Sequence, residues 1–483
     1  FPPGTMAMRT SAALVLLSRA LQAAFLAAVF APAGRAAPPP PAGLDAAEEQ
    51  RIADLISKAG VPSVSIAIVD RGRLVYAKAL GMAALGPDRP ADTSTRYFVG
   101  SISKQFTAAA VLLAAEDGKL SLDDRVARYY PELTRAADIS VRQLLSHTSG
   151  YEDFAPQDYL VPEWARATSP ETVLHAWAGK PLDFEPGTRW QYSNTNYLLA
   201  ALIFQKATGE GLVPYLKRRI FDPLGMTSAG DGYLDRHPTD AVPYTRYGLG
   251  PSRPATPEAN GWYLGAAQLA MTPSDLARWD MALLRRQVLG AKSYRDLTTE
   301  VRLANGDRTG YALGLSVGEL DRIPQFSHSG EVSGFLTSNA IFPTRDAAVA
   351  VCSNEDSVFV VGPIEKELAR WLLEPDRRTI QEAPPAETKQ VALIVEGLRS
   401  GTLDRSLFTA NANSYFSAAA IADIRESLKP FGAVKSTART VDGLRGGMRY
   451  RFYKVVFESG SVGISVYVTP DGRYEQFMVE QDL

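Results

Sequence analysis

Ser101-Ile102-Ser103-Lys104 places a hydroxyl and an amine three residues apart. At that spacing the two side chains lie on one helical face and can share a proton. The preceding Arg96-Tyr-Phe-Val-Gly100 predicts an extended segment and Gln105 to Ala115 predicts a buried helix, so Ser101 falls at a helix start. The unpaired N–H groups and the positive end of the dipole there favour an anion and disfavour a cation. A desolvated lysine in that position gives up its proton more readily and serves as a base toward the serine. Both residue types are common, so the pair is informative only when other groups join it.

Two further groups are candidates. Tyr192-Ser193-Asn194 precedes the apolar run Tyr197 to Ile203, hence lies in a turn or at a helix start. A phenol and an amide two residues apart on such a turn point into one cleft, the first to move protons and the second to hold a substrate amide. His328-Ser329-Gly330, followed by Glu331, lies just ahead of a strand beginning near Gly334. Glycine at a strand edge allows close backbone approach, so the N–H after it can join the N–H of Ser101 as an oxyanion hole. Each of these motifs is weak by itself.

The totals narrow the field. Lys plus Arg number 51 against 53 Asp plus Glu in 483 residues, so no basic excess points to nucleic acid or an anionic membrane, and a small-molecule or peptide partner is expected. Cys352, the only cysteine, excludes an internal disulfide and a thiolate metal cluster, and its run Ala347 to Cys352 predicts a buried strand. The four histidines form no H-x-H or H-E-x-x-H pair, so no histidine-rich zinc site is expected.

The pattern along the chain predicts how these groups are positioned. Residues 1–37 read as an export signal: arginines flank and interrupt an apolar run ending at Phe30, and small residues follow. This implies a periplasmic or secreted protein with no membrane span once the signal is removed. A proline-rich linker, 38–44, precedes a main domain over 45–375. In it a helix near Asp45 to Gly60 leads to a hairpin of Val61–Val69 and Leu74–Leu80, and strands return at Tyr311–Val317, Gly334–Phe342 and Ala347–Cys352. Strands near both ends around a helical middle predict one antiparallel sheet flanked by helices, with a helical subdomain: an α+β fold. A polar linker, 376–389, leads to a small α+β domain over 390–483, cystatin-like or NTF2-like, with strands Met448–Glu458, Val462–Thr469 and Tyr474–Val479. That domain carries no catalytic constellation; its expected role is to stabilise or shield the main domain, or to bind a ligand or second chain.

Taken together, S-x-x-K at a helix start, Y-x-N before a mid-chain helix and H-x-G on a late strand resemble the serine β-lactamase and penicillin-binding-protein superfamily. The likeness is to its class C β-lactamase-like group, and it covers about residues 45–375. Phe98 to Thr107, Leu144-Leu-Ser-His-Thr-Ser-Gly150 and Phe184-Glu-Pro-Gly-Thr188 are similar to that group as well. The resemblance implies an exported serine hydrolase: Ser101 the acylated nucleophile, Lys104 its base, Tyr192 the proton relay, and Asn194, His328, Gly330 and Glu331 at the substrate. His147 and Ser149 are expected to be structural. His328 stands where many β-lactamases carry lysine in K-T-G, and a neutral imidazole attracts a substrate carboxylate less than an ammonium does. This ranks D-amino-acid peptides or esters slightly ahead of β-lactams. The chemistry requires no metal or organic cofactor. One alternative is a penicillin-binding or sensor protein with little turnover. Another is an α/β-type hydrolase using Gly314-Leu-Ser316-Val-Gly318, although that match lies in a strand-like run where a nucleophile elbow requires a strand turning sharply into a helix. The oligomeric state is left open.

Overall fold

The computed structural model describes residues 44, 46–373, 386–445 and 448–482. The proposed signal, most of the proline-rich segment and most of the 376–389 linker lie outside the described residues. Among the described residues, no helix is long and apolar enough to cross a membrane.

The main sheet has seven strands: β1 (Ser63–Asp70), β2 (Arg73–Ala84), β3 (Arg89–Pro90), β4 (Ser316–Leu320), β5 (Ile323–Val332), β6 (Phe335–Phe342) and β7 (Ala347–Ser353). Their spatial order is β3-β2-β1-β7-β6-β5-β4, and every pairing is antiparallel. The two halves of the domain join where β1 meets β7, with Ile66 opposite Val351 and Ala67 opposite Ala350. The sheet is thus assembled from both ends of the domain, as the strand pattern predicts.

Both faces of the sheet are covered. Successive strand residues point to opposite faces, so Val64, Ile66 and Ile68 pack toward α1 (Ala46–Ala59) on one side while Ala67 and Val69 join the core of the helical subdomain on the other. That second core holds α2 (Ser103–Glu116), α3 (Asn194–Thr208) and α4 (Pro273–Leu284). Thr272 caps α4 by accepting from the Asp275 N–H, with Pro273 at the first helical position. The helix α5 (Val361–Leu373) returns to the first face through Ile364 and Leu368. Cys352 is buried in β7, where burial pushes its thiol up to about 12, so it behaves as a core hydrophobe.

Two strand expectations need correction. Tyr311–Val317 is not a continuous strand: β4 begins only at Ser316, because Gly314 takes φ +85° and turns the chain. The C-terminal sheet has four strands, since β8 (Val434–Arg445) precedes β9 (Met448–Phe457), β10 (Ser461–Val468) and β11 (Tyr474–Gln481) in an antiparallel meander. One face of this sheet packs Val455, Ile464 and Val479 against α6 (Ala386–Ser400) and α7 (Ala418–Leu428).

Glu365 on α5 gives a test of this packing. The residue is 7% exposed, one carboxyl oxygen accepts from Ser338 Oγ at 3.2 Å, and the other has no hydrogen-bond partner. Burial pushes its carboxyl up to about 7 from an ordinary value of 4.5. The folded state therefore holds the proton more tightly than the unfolded chain, and stability is lost as pH rises from about 4.5 through 7, by about 2–3 kcal/mol. Glu365→Gln should raise the thermal unfolding midpoint by a few degrees at pH 8.5 and change it little at pH 5. Equal shifts at the two pH values would contradict this.

Candidate active site

The nucleophile turn is built by a strand that must become a helix within two residues. Tyr97–Phe98 pairs with Leu269–Met271, and Val99 N–H donates to Leu269 O at 3.0 Å. Gly100 then adopts φ +51°, and Gly100–Ile102 forms a 3₁₀ turn that opens into α2. Ser101 sits half-buried on this turn.

Lys104 enters the core with the buried face of α2 and is 0% exposed. Its Nζ lies 2.9 Å from Ser101 Oγ, 2.7 Å from Asn194 Oδ1 and 3.0 Å from Ala266 O. The last two are carbonyl oxygens, which only accept, whereas the serine hydroxyl can also donate. A neutral amine in this setting donates to both carbonyls and turns its lone pair to the Ser101 proton. The spacing of three has brought together the pair it predicted.

Asn194 begins α3. Its Nδ2 donates to Asp153 Oδ1 at 3.1 Å and to Ala155 O at 3.2 Å, while its N–H donates to Asp153 Oδ1 at 2.9 Å. Both ends of the amide are engaged inside the protein, so in this arrangement Asn194 holds Lys104 in place, although it also lines the pocket beside Ser101. Asp153 was not legible as part of the site, because an isolated aspartate in a loop carries no spacing signal.

Tyr192 packs among the same groups. Lys104 Nζ is 4.8 Å from its ring centroid, and the rings of His147 and His328 are 4.3 and 6.0 Å away. His147 is fully buried, accepts from Ser193 N–H at its Nδ1 (3.2 Å), and packs on Tyr197 and Tyr311 as well. Ser149 Oγ donates to Asn196 Oδ1 at 2.5 Å. The His-Thr-Ser-Gly loop therefore braces Tyr192 from behind.

His328 lies within β5. Its Nδ1 is 2.5 Å from Ser329 O, which only accepts, so the ring proton is on Nδ1 and Nε2 accepts from the Tyr311 hydroxyl at 2.9 Å. Burial is the main cause that pushes the imidazole down to about 4, and Lys104 adds to it whenever its amine carries a proton. It is neutral at pH 7. Tyr311, which the sequence placed in a strand, is the missed partner.

Gly330 brings β5 against the nucleophile turn with no room to spare. A Cβ on Gly330 would lie 1.9 Å from Val99 O, and one on Gly100 would lie 2.4 Å from Glu331 N. The backbone of Glu331 therefore runs directly against Gly100–Ser101, where its N–H and that of Ser101 can converge on one oxygen.

Residues 44–370 match the beta-lactamase family model. The chain belongs to the beta-lactamase family. Among its relatives is PbpX of Bacillus subtilis, named as a penicillin-binding protein, 28% identical over 324 residues that span 67% of this chain and 78% of PbpX. Protein flp of Staphylococcus aureus is 28% identical over 323 residues, 64% of this chain and 63% of its own length. A D-stereospecific amidohydrolase from Streptomyces superposes with a TM-score of 0.58 at 25% identity, covering 68% of this chain and 98% of that one. An octameric penicillin-binding protein homologue from Pyrococcus abyssi shares the fold over 90% of this chain and all of its own, with a TM-score of 0.61 at 20% identity.

In this beta-lactamase-family chain the cleft continues beyond the family region. A cavity of about 690 Å³ is lined on one side by Ser101, Tyr192 and His328 and on the other by the C-terminal sheet. Alternation along the strands explains the second wall: Tyr453 and Val455 face the helices, while Tyr450 and Phe452 face the cavity, joined there by Tyr467 and Met478. The sheet is fastened by Gln476, whose Oε1 accepts from Asp158 N–H at 2.6 Å, and by Tyr159 Oη donating to Glu475 O at 2.7 Å. Ser316, the serine of the G-x-S-x-G match, opens β4 opposite Ser327 and is not at an elbow.

Gly330→Ala tests the close approach. The added methyl forces β5 away from the turn, so kcat/KM for p-nitrophenyl acetate should fall by about 10²-fold or more, with about 1–3 kcal/mol of stability lost. Retention of the full rate would show that the contact does not shape the site.

Proposed function

We propose that this protein is a serine hydrolase that forms an acyl-enzyme at Ser101 on a small amide or ester carbonyl. The single observation that carries this is the 2.9 Å contact between Lys104 Nζ and Ser101 Oγ, with the amine buried and oriented by two carbonyl oxygens. Lys104 takes the Ser101 proton as Oγ attacks; the N–H groups of Ser101 and Glu331 hold the oxyanion. Tyr192, packed beside Lys104 and His328, passes the proton to the leaving group and then takes one from the water that releases the acyl group.

The neutral His328 favours D-aminoacyl amides, D-peptides and esters over substrates that require a cation for their carboxylate. The likeness to a D-stereospecific amidohydrolase supports the same ranking. Tyr450, Phe452, Tyr467 and Met478 suit an apolar group on the substrate. The signal-like N-terminus supports a periplasmic or secreted location.

A turnover panel of D-aminoacyl amides, D-Ala-D-Ala peptides, short nitrophenyl esters and nitrocefin tests this reading. Amides or esters should turn over many times, and Ser101→Ala should lose about 10³-fold or more of that activity, with Ser316→Ala unchanged. A penicillin adduct that persists without turnover of any member would instead establish a binding or sensor role. Tyr467→Ala together with Met478→Ala should raise KM for nitrophenyl butyrate several-fold more than for nitrophenyl acetate. Equal effects on the two esters would remove the C-terminal sheet from the substrate site.

A further inference from the structure

Beside Ser101 a small pocket of about 30 Å³ opens off the main cleft, enough for one or two non-hydrogen groups. Four carboxylates line it, those of Asp158, Glu258, Glu331 and Asp356, and no lysine, arginine or histidine does. Two of those acids take up nearby donors. Ser333 donates to Glu258 Oε1 from its N–H at 3.1 Å and its hydroxyl at 2.9 Å, while Gly334 N–H and Ser357 Oγ donate to Asp356 at 2.7 and 2.9 Å.

A separate observation points to what is wanted there. Gln157 lines the same pocket, is 7% exposed, and has its side-chain carbonyl oxygen buried with no hydrogen-bond partner. A buried acceptor left unpaired costs about 1–3 kcal/mol, so a donor that enters the pocket beside Gln157 is favoured. Among the described residues, no three His, Cys, Asp or Glu side chains stand close enough to hold a metal ion. The requirement is met by a compact group that carries several N–H donors and a positive charge: a primary ammonium.

We propose that this pocket is an ammonium subsite, and that the enzyme selects substrates bearing a free amine close to the scissile carbonyl, as in aminoacyl amides and aminoacyl esters. The inference deepens the acyl-transfer reading and rests on it for the position of the scissile bond. Burial raises the carboxyls of Glu258 and Asp356, the latter to about 6, and each is raised further by a neighbouring carboxylate. An ammonium between them relieves both penalties. The same four acids repel a substrate carboxylate placed here, which sets this pocket against substrates that offer an anion near the reacting carbonyl.

The test is binding to the full-length Ser101→Ala protein, which separates recognition from turnover. Calorimetric titration with D-phenylalaninamide and with its N-acetyl derivative compares two ligands that differ at the amine alone. The free amine should bind about tenfold or more tightly than the acetylated one. Asp356→Asn or Glu258→Gln in the same background should reduce that preference to about threefold or less. Equal affinities, or a preference for the acetylated ligand, would overturn the subsite, and this parental comparison stands even where a carboxylate variant fails to fold. Failure of the acyl-transfer reading looks different: wild-type protein would leave D-phenylalaninamide intact and Ser101 unmodified while the amine preference persisted.

Discussion

A buried amine is the constraint on which the site depends. Lys104 is 0% exposed, and taking an amine out of water is costly unless its hydrogen bonds are replaced. The protein replaces them with Asn194 Oδ1 from α3 and Ala266 O from the loop before Leu269. Asn194 is in turn fixed by Asp153 and Ala155. Three segments distant in sequence must therefore meet at one nitrogen. The packing of α2 against α3, through residues such as Phe106 and Leu198 in the subdomain core, brings them there.

The same economy governs the opposite side of the nucleophile. Gly100 and Gly330 leave out side-chain carbons that would hold β5 off the turn, and Gly314 lets the next segment pass close over the backbone of Lys104, where a Cβ would lie 2.7 Å from Lys104 O. That passage delivers Tyr311 to His328. The imidazole then has a donor at Nε2 and an acceptor at Nδ1 without gaining charge. The neutral His328, the side chains of Tyr450, Phe452, Tyr467 and Met478 from the C-terminal sheet, and the acidic pocket beside Ser101 border one cleft.

Much of this was legible in the sequence because it is local. Helix starts at Ser101 and Asn194, the hairpin of β1 and β2, and the buried strands β6 and β7 all follow from periodicity and turn residues acting over a few positions. That Ser101, Lys104, Tyr192 and His328 share one site was an expectation from the family resemblance their motifs carry, not from periodicity or spacing. What escaped is either weakly patterned or tertiary. The strand β8 escaped because its sequence, Val-Lys-Ser-Thr-Ala-Arg-Thr-Val, is polar and lies at a sheet edge. Tyr311 and Asp153 act through partners 17 and 41 residues away. The face of the C-terminal sheet that carries Tyr450, Phe452 and Tyr467 went unread, because only the fold shows that it lines the cleft.

The central claim is that Lys104 activates Ser101 for covalent attack. Intact-mass spectrometry with peptide mapping after brief exposure to a fluorophosphonate measures this directly, in wild type and in Lys104→Met. The account predicts one adduct, on Ser101, forming about 10²-fold or more slowly once the amine is replaced by an apolar isostere. An adduct at another residue, or labelling of Ser101 at an undiminished rate in Lys104→Met, would contradict it.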